Sequence, residues 1–184
     1  MTDLMVDIET LGTSYDSVIV SIGVADFNME NGKILGEFYF AVDPKSCQDI
    51  GMSMDVETVL WWMNQPNREW MNDPMPIKFV IEELTRFIEG SMDKDDFRVW
   101  ANAPQFDLTI LKSAYRLLGM PCPWTYRQER DLRTLKSIYK GPRPRFQVKG
   151  DKHYALYDAK LQAKICSYVW RKMKRDDIVS KRKR

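Results

Sequence analysis

The stretch Leu4-Met5-Val6-Asp7-Ile8-Glu9-Thr10-Leu11 decides the reading of this chain. It is an apolar run of the kind that forms an interior strand, interrupted by two carboxylates two positions apart. Strand side chains alternate between faces, so Asp7 and Glu9 share one face of a sheet. Two anions side by side repel and are costly to bury. A positive group must lie between them, either a basic side chain or a metal ion. The first 32 residues contain no Lys or Arg. That favours a metal, and oxygen-only ligands suit Mg2+ or Mn2+. The bland alternative is an edge strand with both carboxylates in water; Leu4, Val6, Ile8 and Leu11 argue for an interior one.

Working outward, Val18–Phe27 is β-branched and apolar, and Gly36–Val42 carries the alternation Phe38, Phe40. Turn signals at Gly12-Thr13-Ser14, Asn28 and Asn31-Gly32 separate three strands, which read as an antiparallel meander. The period then changes. Asp55 caps a helix in which Val56, Val59, Leu60 and Met63 form one stripe, closed by Pro66. Ile77–Glu89 is a second helix, Phe97–Asn102 a short strand, and Gln105–Leu118 a helix ending at Gly119. Leu132–Tyr139 is a shorter helix. Gly141–Lys152 is a loop rich in Gly, Pro and basic residues, and Ala155–Lys174 is the last helix. The expectation is an α/β domain with a mixed central sheet, the meander plus further strands, covered by helices.

The chain has 184 residues, 44% of them hydrophobic, enough for one domain with a sizeable core and too many for a disordered chain. That domain is expected over 1–174, with a basic C-terminal tail over 175–184. Cys47, Cys122 and Cys166 are odd in number and far apart, so they make neither a disulfide framework nor a metal knuckle. The N-terminus has no basic region followed by an apolar stretch, and the longest apolar run, Val59–Met63, is far short of a membrane span. A soluble cytoplasmic protein with no membrane partner is expected. The charge is uneven: residues 1–126 carry 9 Lys/Arg and 20 Asp/Glu, residues 127–184 carry 19 and 6. Divalent cations on one side and phosphates on the other would account for both halves. Ordinary surface charge with a basic tail is the plain alternative.

Three more residues stand out. Asp107 follows the strand Val99-Trp100-Ala101-Asn102, in the first turn of a helix. Asp158 lies among Ala155, Ala159 and Ala163, small residues that let a helix backbone approach a sheet. Either, taken alone, is equally a first-turn acid favoured by the helix dipole. His153, the one histidine, stands five residues before Asp158. A lone His is usually structural, but a neutral His beside a metal-held water is the usual general base near pH 7.

The set is more telling than its members. Asp7-Ile8-Glu9-Thr10, then Phe106-Asp107 with Ile110-Leu111, then His153-Tyr-Ala-Leu-Tyr-Asp158, occur in an order that resembles the DEDDh family of 3′–5′ exonucleases, over roughly residues 4–172. Thr58–Gln65 with Trp61 and Trp62, Trp100-Ala101-Asn102, and Arg130–Thr134 look like the branch that includes phage and prophage enzymes of the exonuclease A type and a bacterial exoribonuclease-like group. Ala103-Pro104-Gln105 departs from that branch, which often has a Gly-containing turn there.

The resemblance implies a ribonuclease H-like fold. It implies two Mg2+ (or Mn2+) held by Asp7, Glu9, Asp107 and Asp158, with Asp7 bridging and His153 as general base. The products would be nucleoside 5′-monophosphates from single-stranded DNA or RNA 3′ ends, DNA slightly favoured through the phage likeness. Glu9 with the backbone at Thr10 and Leu11 would meet the terminal ribose, and Asn102 and Phe106 belong to the same motifs. Trp61 or Trp62 would stack on a base, worth about 1–3 kcal/mol; one core and one rim tryptophan is the plain alternative. The loop Lys140–Lys152, with Arg145, would order over the nucleic acid, or is simply a solvated connector. Related exonucleases of this size often pair, so a homodimer is a further implication, and a phage-encoded chain would act in host cytoplasm. An exoribonuclease of the same mechanism, an accessory protein with a vestigial site, and a small-molecule phosphohydrolase are the competing functions. A decayed site tends to lose a position, and all five are filled here. The basic second half exceeds what a small substrate needs.

Overall fold

In the computed structural model the described residues are 1–66, 68–91, 97–142, 144, 146 and 152–181, with side chains described to residue 175. The meander forms as read: β1 (Thr2–Thr10), β2 (Ile19–Phe27) and β3 (Ile34–Ala41) pair antiparallel. Next come α1 (Pro44–Asp49), α2 (Val56–Met63), a 3-10 turn (Glu69–Met71), α3 (Ile77–Ser91), β4 (Phe97–Ala101) and α4 (Asp107–Leu117). The chain closes with β5 (Glu129–Asp131), α5 (Leu132–Ile138) and α6 (Ala155–Lys181). The sheet order is β3-β2-β1-β4-β5, with β4 parallel to β1 and β5 parallel to β4. β1 is therefore the central strand, and the carboxylates are not on an edge.

β1 has two different faces. Leu4, Val6 and Ile8 point into the larger core, with α3 and α4 residues such as Ile81, Leu84, Leu108 and Leu111. Met5 points into a smaller core under α5 and α6, with Ala25, Phe27, Trp100, Ala159, Ala163 and Cys166. Asp3 lies on this second face and is 1% exposed. Its carboxylate accepts hydrogen bonds from Arg98 Nε at 2.6 Å, Arg98 Nη2 at 2.7 Å and Trp100 Nε1 at 2.7 Å. One end of the strand's polar face is thus neutralised by a protein cation.

Gly23 pairs with Asp7 across the β1–β2 ladder. A Cβ there would lie 2.3 Å from the Ala155 carbonyl carbon and the Leu156 nitrogen. The bare glycine lets the start of α6 rest on the strand beside Asp7.

Three readings need correction. The Val56, Leu60, Met63 stripe of α2 faces outward, and Trp62 is the side chain that anchors the helix, 2% exposed. Its indole N–H donates to the Thr10 carbonyl at 2.9 Å, which fixes the rotation of so short a helix. β5 has only three residues, all charged, too few to show a period. α6 runs past residue 174 to Lys181, so the tail boundary falls inside a helix; no Gly or Pro interrupts the chain after His153. Most of the loop Lys140–Lys152, including Arg145, lies outside the described residues. Among the described residues no helix is long and apolar enough to cross a membrane.

Candidate active site

Three elements bring the carboxylates to one place. β1 supplies Asp7 and Glu9, the first turn of α4 supplies Asp107, and the first turns of α6 supply Asp158. With Asn102, Phe106, Arg133, His153 and Gln162 they line a cavity of about 560 Å³. Asp107 is aimed by the turn Ala103-Pro104-Gln105, where the Phe106 and Asp107 N–H groups both donate to the Ala103 carbonyl. The proline stiffens that turn without displacing the acid. The Ile8 N–H donates to Asp107 Oδ1 at 3.4 Å, which ties α4 to β1.

The electrostatics are those of four anions without enough positive charge. Burial, and then the charges of Asp107, Glu9 and Asp158, hold the Asp7 carboxyl well above its ordinary range. Burial, with Asp158 and Asp107 adding to it, pushes Glu9 up to about 8. Burial pushes Asp107 up to about 6 against its backbone hydrogen bonds, and burial also raises Asp158. Among the described residues none of the four is in a salt bridge. Such a cluster is stabilised by a bound cation or by taking up protons.

His153 stands at the mouth in the left-handed region, φ 63°. For a residue with a Cβ this costs of order 1 kcal/mol and is found mainly where surroundings enforce it. Here the His153 N–H donates to Asp158 Oδ2 at 3.0 Å. Trp61 packs edge-on against the imidazole with ring centroids 4.9 Å apart. Glu9, His153 and Asp158 each offer a ligand atom within 4.8 Å of the others.

The substrate residues read from sequence divide. Asn102 and Phe106 line the cavity. Trp61 is on the rim, 42% exposed. Trp62 is buried with its N–H committed, so it has no face for a base. Thr10 and Leu11 are buried too: the Thr10 carbonyl is taken by Trp62, and the Leu11 N–H donates to Val18. Neither is among the residues that line the cavity. Arg145 is outside the described residues. Two residues escaped the sequence reading. Gln162 Nε2 donates to Asp7 Oδ1 at 2.7 Å; it stands four residues after Asp158, the spacing that places side chains on one helix face. Arg133 lines the cavity from α5, with no signal beyond its place inside Arg130–Thr134.

The fold has known counterparts. The nuclease domain of 3′hExo, a DEDDh family member solved with rAMP, superposes with a TM-score of 0.67 at 13% identity, covering 93% of this chain and 92% of that one. Exonuclease I of E. coli, solved with a dT13 oligonucleotide, gives 0.68 at 15% identity over 96% of this chain and 43% of that one. S. pombe Pop2p, in a form with Mg2+ and Mn2+ bound, gives 0.58 at 14% identity, covering 91% and 82%. These likenesses establish the ribonuclease H-like fold of DEDDh exonuclease domains. A sequence search of curated proteins finds no match. Residues 2–170, nearly the whole domain, match the model of the Rv2179c-like 3′-5′ exoribonuclease domain. The chain belongs to that family and is a 3′–5′ exonuclease.

Proposed function

We propose that this exonuclease removes nucleoside 5′-monophosphates from the 3′ end of single-stranded RNA. Asp7, Glu9, Asp107 and Asp158 would hold two divalent cations, with Asp7 shared between them, and His153 would act as general base. The observation that carries the reading is the convergence of four carboxylates, all held above their ordinary range, in one cavity. The donor set fits the cations: carboxylate oxygens with one nearby imidazole suit Mg2+ or Mn2+. Bound there, the cations would supply Lewis-acid stabilisation of the attacking and leaving oxygens of an in-line displacement.

The protein's own groups have separate tasks. His153, steadied by Trp61 and by its N–H to Asp158, takes the proton from the attacking water. Gln162 fixes the rotation of the Asp7 carboxylate. Asn102 and Phe106 bound the space for the terminal nucleotide. RNA is preferred because the matched family is an exoribonuclease domain; the likeness of Thr58–Gln65 and Arg130–Thr134 to phage and prophage enzymes would favour DNA instead.

The test is product analysis on matched 5′-labelled RNA and DNA single strands with Mg2+ or Mn2+. A descending ladder, faster on RNA, is the expected result. Cuts within a circular single strand would replace the exonuclease reading with an endonuclease, and a faster DNA ladder would overturn the choice of RNA.

A further inference from the structure

We infer that a groove between α5 and α6 is the track for the nucleotides preceding the scissile one, on the 5′ side of a single-stranded substrate. The inference rests on the nuclease reading above. The groove has a volume of about 440 Å³ and is lined by Arg133, Lys136, Ser137, Tyr139, Ile165 and Val169. Arg133 also lines the catalytic cavity, so the two spaces adjoin and share this side chain as a wall. A second link is the hydrogen bond from Lys136 Nζ to Asn102 Oδ1, 2.6 Å long, which joins a groove residue to a cavity residue. On α6 the residues Asp158, Gln162, Ile165 and Val169 follow at intervals of four, three and four, which is one helix face. At 1.5 Å per residue that face extends about 16 Å from the catalytic carboxylate to the far end of the groove.

The chemistry changes along this path in the way a nucleic-acid strand requires. Carboxylates at the cavity give way to the cations Arg133 and Lys136, which match phosphates, above an apolar floor of Ile165 and Val169, which matches bases. Tyr168 continues the surface: its ring lies 6.2 Å from Tyr139, edge to face, with Lys172 Nζ 5.5 Å from its centroid. Basic side chains interleaved with aromatic ones hold single strands without reading sequence. Both helices belong to the half of the chain that carries the excess of Lys and Arg.

Ser137 is the clean probe, because it is exposed at the groove and outside the catalytic cavity. Binding of 5′-fluorescein oligouridylates, from dinucleotide to decamer, is measured by anisotropy with Ca2+ present. Ser137→Glu should weaken the decamer about three- to tenfold, the effect of one charge near a phosphate in a watery setting. Ser137→Arg should strengthen it, the dinucleotide should be unaffected by either, and the difference should shrink as salt is raised. A 4-thiouridine third from the 3′ end should crosslink to α5 or α6. Crosslinks elsewhere, or equal effects on both lengths, overturn the inference. So does unchanged strand binding, including the case where Ser137→Glu instead dissolves a dimer of this chain. If the wild type still makes a ladder, the nuclease reading survives that failure. A wild type that neither binds nor cleaves any strand brings down both.

Discussion

Gly23→Ala should separate the geometry of the site from its chemistry. The added methyl would sit 2.3 Å from the Ala155 carbonyl carbon and the Leu156 nitrogen, and 2.6 Å from the Ala155 oxygen. These are backbone atoms, so no side chain can rotate away. Ordinary contact begins at 3.4 Å, so the strand and the start of α6 must part by about 1.1 Å. That segment carries His153, Asp158 and Gln162, and Gly23 is the ladder partner of Asp7. Overpacking of this kind costs about 1–3 kcal/mol, a fall in Tm of roughly 2–12 °C for a chain of this size. A displacement near 1 Å at a catalytic group costs on the order of 10²-fold in rate. The assay is kcat/KM on a 5′-labelled decamer, at a temperature where circular dichroism shows both proteins folded. Gly36→Ala is the matched control: it too is a strand glycine, but its new methyl would meet only side-chain atoms at ordinary contact distance, the Phe87 ring at 3.5 Å and the Asp26 Cβ at 3.6 Å. It should leave rate and Tm nearly unchanged. A folded Gly23→Ala protein with wild-type kcat/KM would refute the argument that close approach of α6 builds the site.

Asp7→Asn should abolish cleavage by several orders of magnitude while raising Tm in chelator at pH 8, because a buried, repelled charge is gone. Since the Glu9 carboxyl rises from 4.5 unfolded to about 8 folded, its stabilising contribution is full below pH 4.5 and is lost as pH rises to 8. Without divalent cations, wild-type Tm should therefore fall between pH 5 and pH 8, and Mg2+ should flatten the curve; a chelated protein equally stable at both pH values would contradict the burial of these carboxylates. His153→Ala should lower kcat by about 10²–10⁴ and alter the acid limb of the pH–rate profile, with cation affinity by calorimetry nearly unchanged; loss of cation binding would make His153 a ligand instead of the base. Arg98→Met leaves Asp3 buried without its cation, which should cost about 3–5 kcal/mol, read by urea denaturation, with the rate at permissive temperature intact; a cost below about 1 kcal/mol would show that Asp3 does not depend on Arg98.

The legible parts were those set by local physics. Asp7 and Glu9 could be read because period 2 and the lack of nearby Lys or Arg leave few ways to satisfy two anions. The closeness of α6 to the sheet was visible in Ala155, Ala159 and Ala163, though not Gly23, whose role depends on register with Asp7. Asp107 and Asp158 were ambiguous singly, because a first-turn acid is stabilising anywhere; only their order along the chain gave them meaning. α2 misled because its apolar residues lie on the exposed side, while one hydrogen bond from Trp62 decides which side is inward. Arg133 and β5 are long-range features: the strand exists only through pairing with β4, and the arginine reaches the cavity only because β5 places α5 there.

The two faces of β1 also bear on how the chain finds its fold. Sliding this strand by one residue against β2 and β4 would exchange its faces. Asp3, Asp7 and Glu9 would then enter the larger apolar core, and Leu4, Val6 and Ile8 would meet Arg98 and the start of α6. Three buried unpaired anions make that arrangement far costlier than a slipped strand of apolar residues alone. The carboxylates that destabilise the finished site therefore exclude the nearest misfolded alternative, and a variant with neutral residues at Asp7 and Glu9 should be more stable once folded yet less selective among pairings while folding.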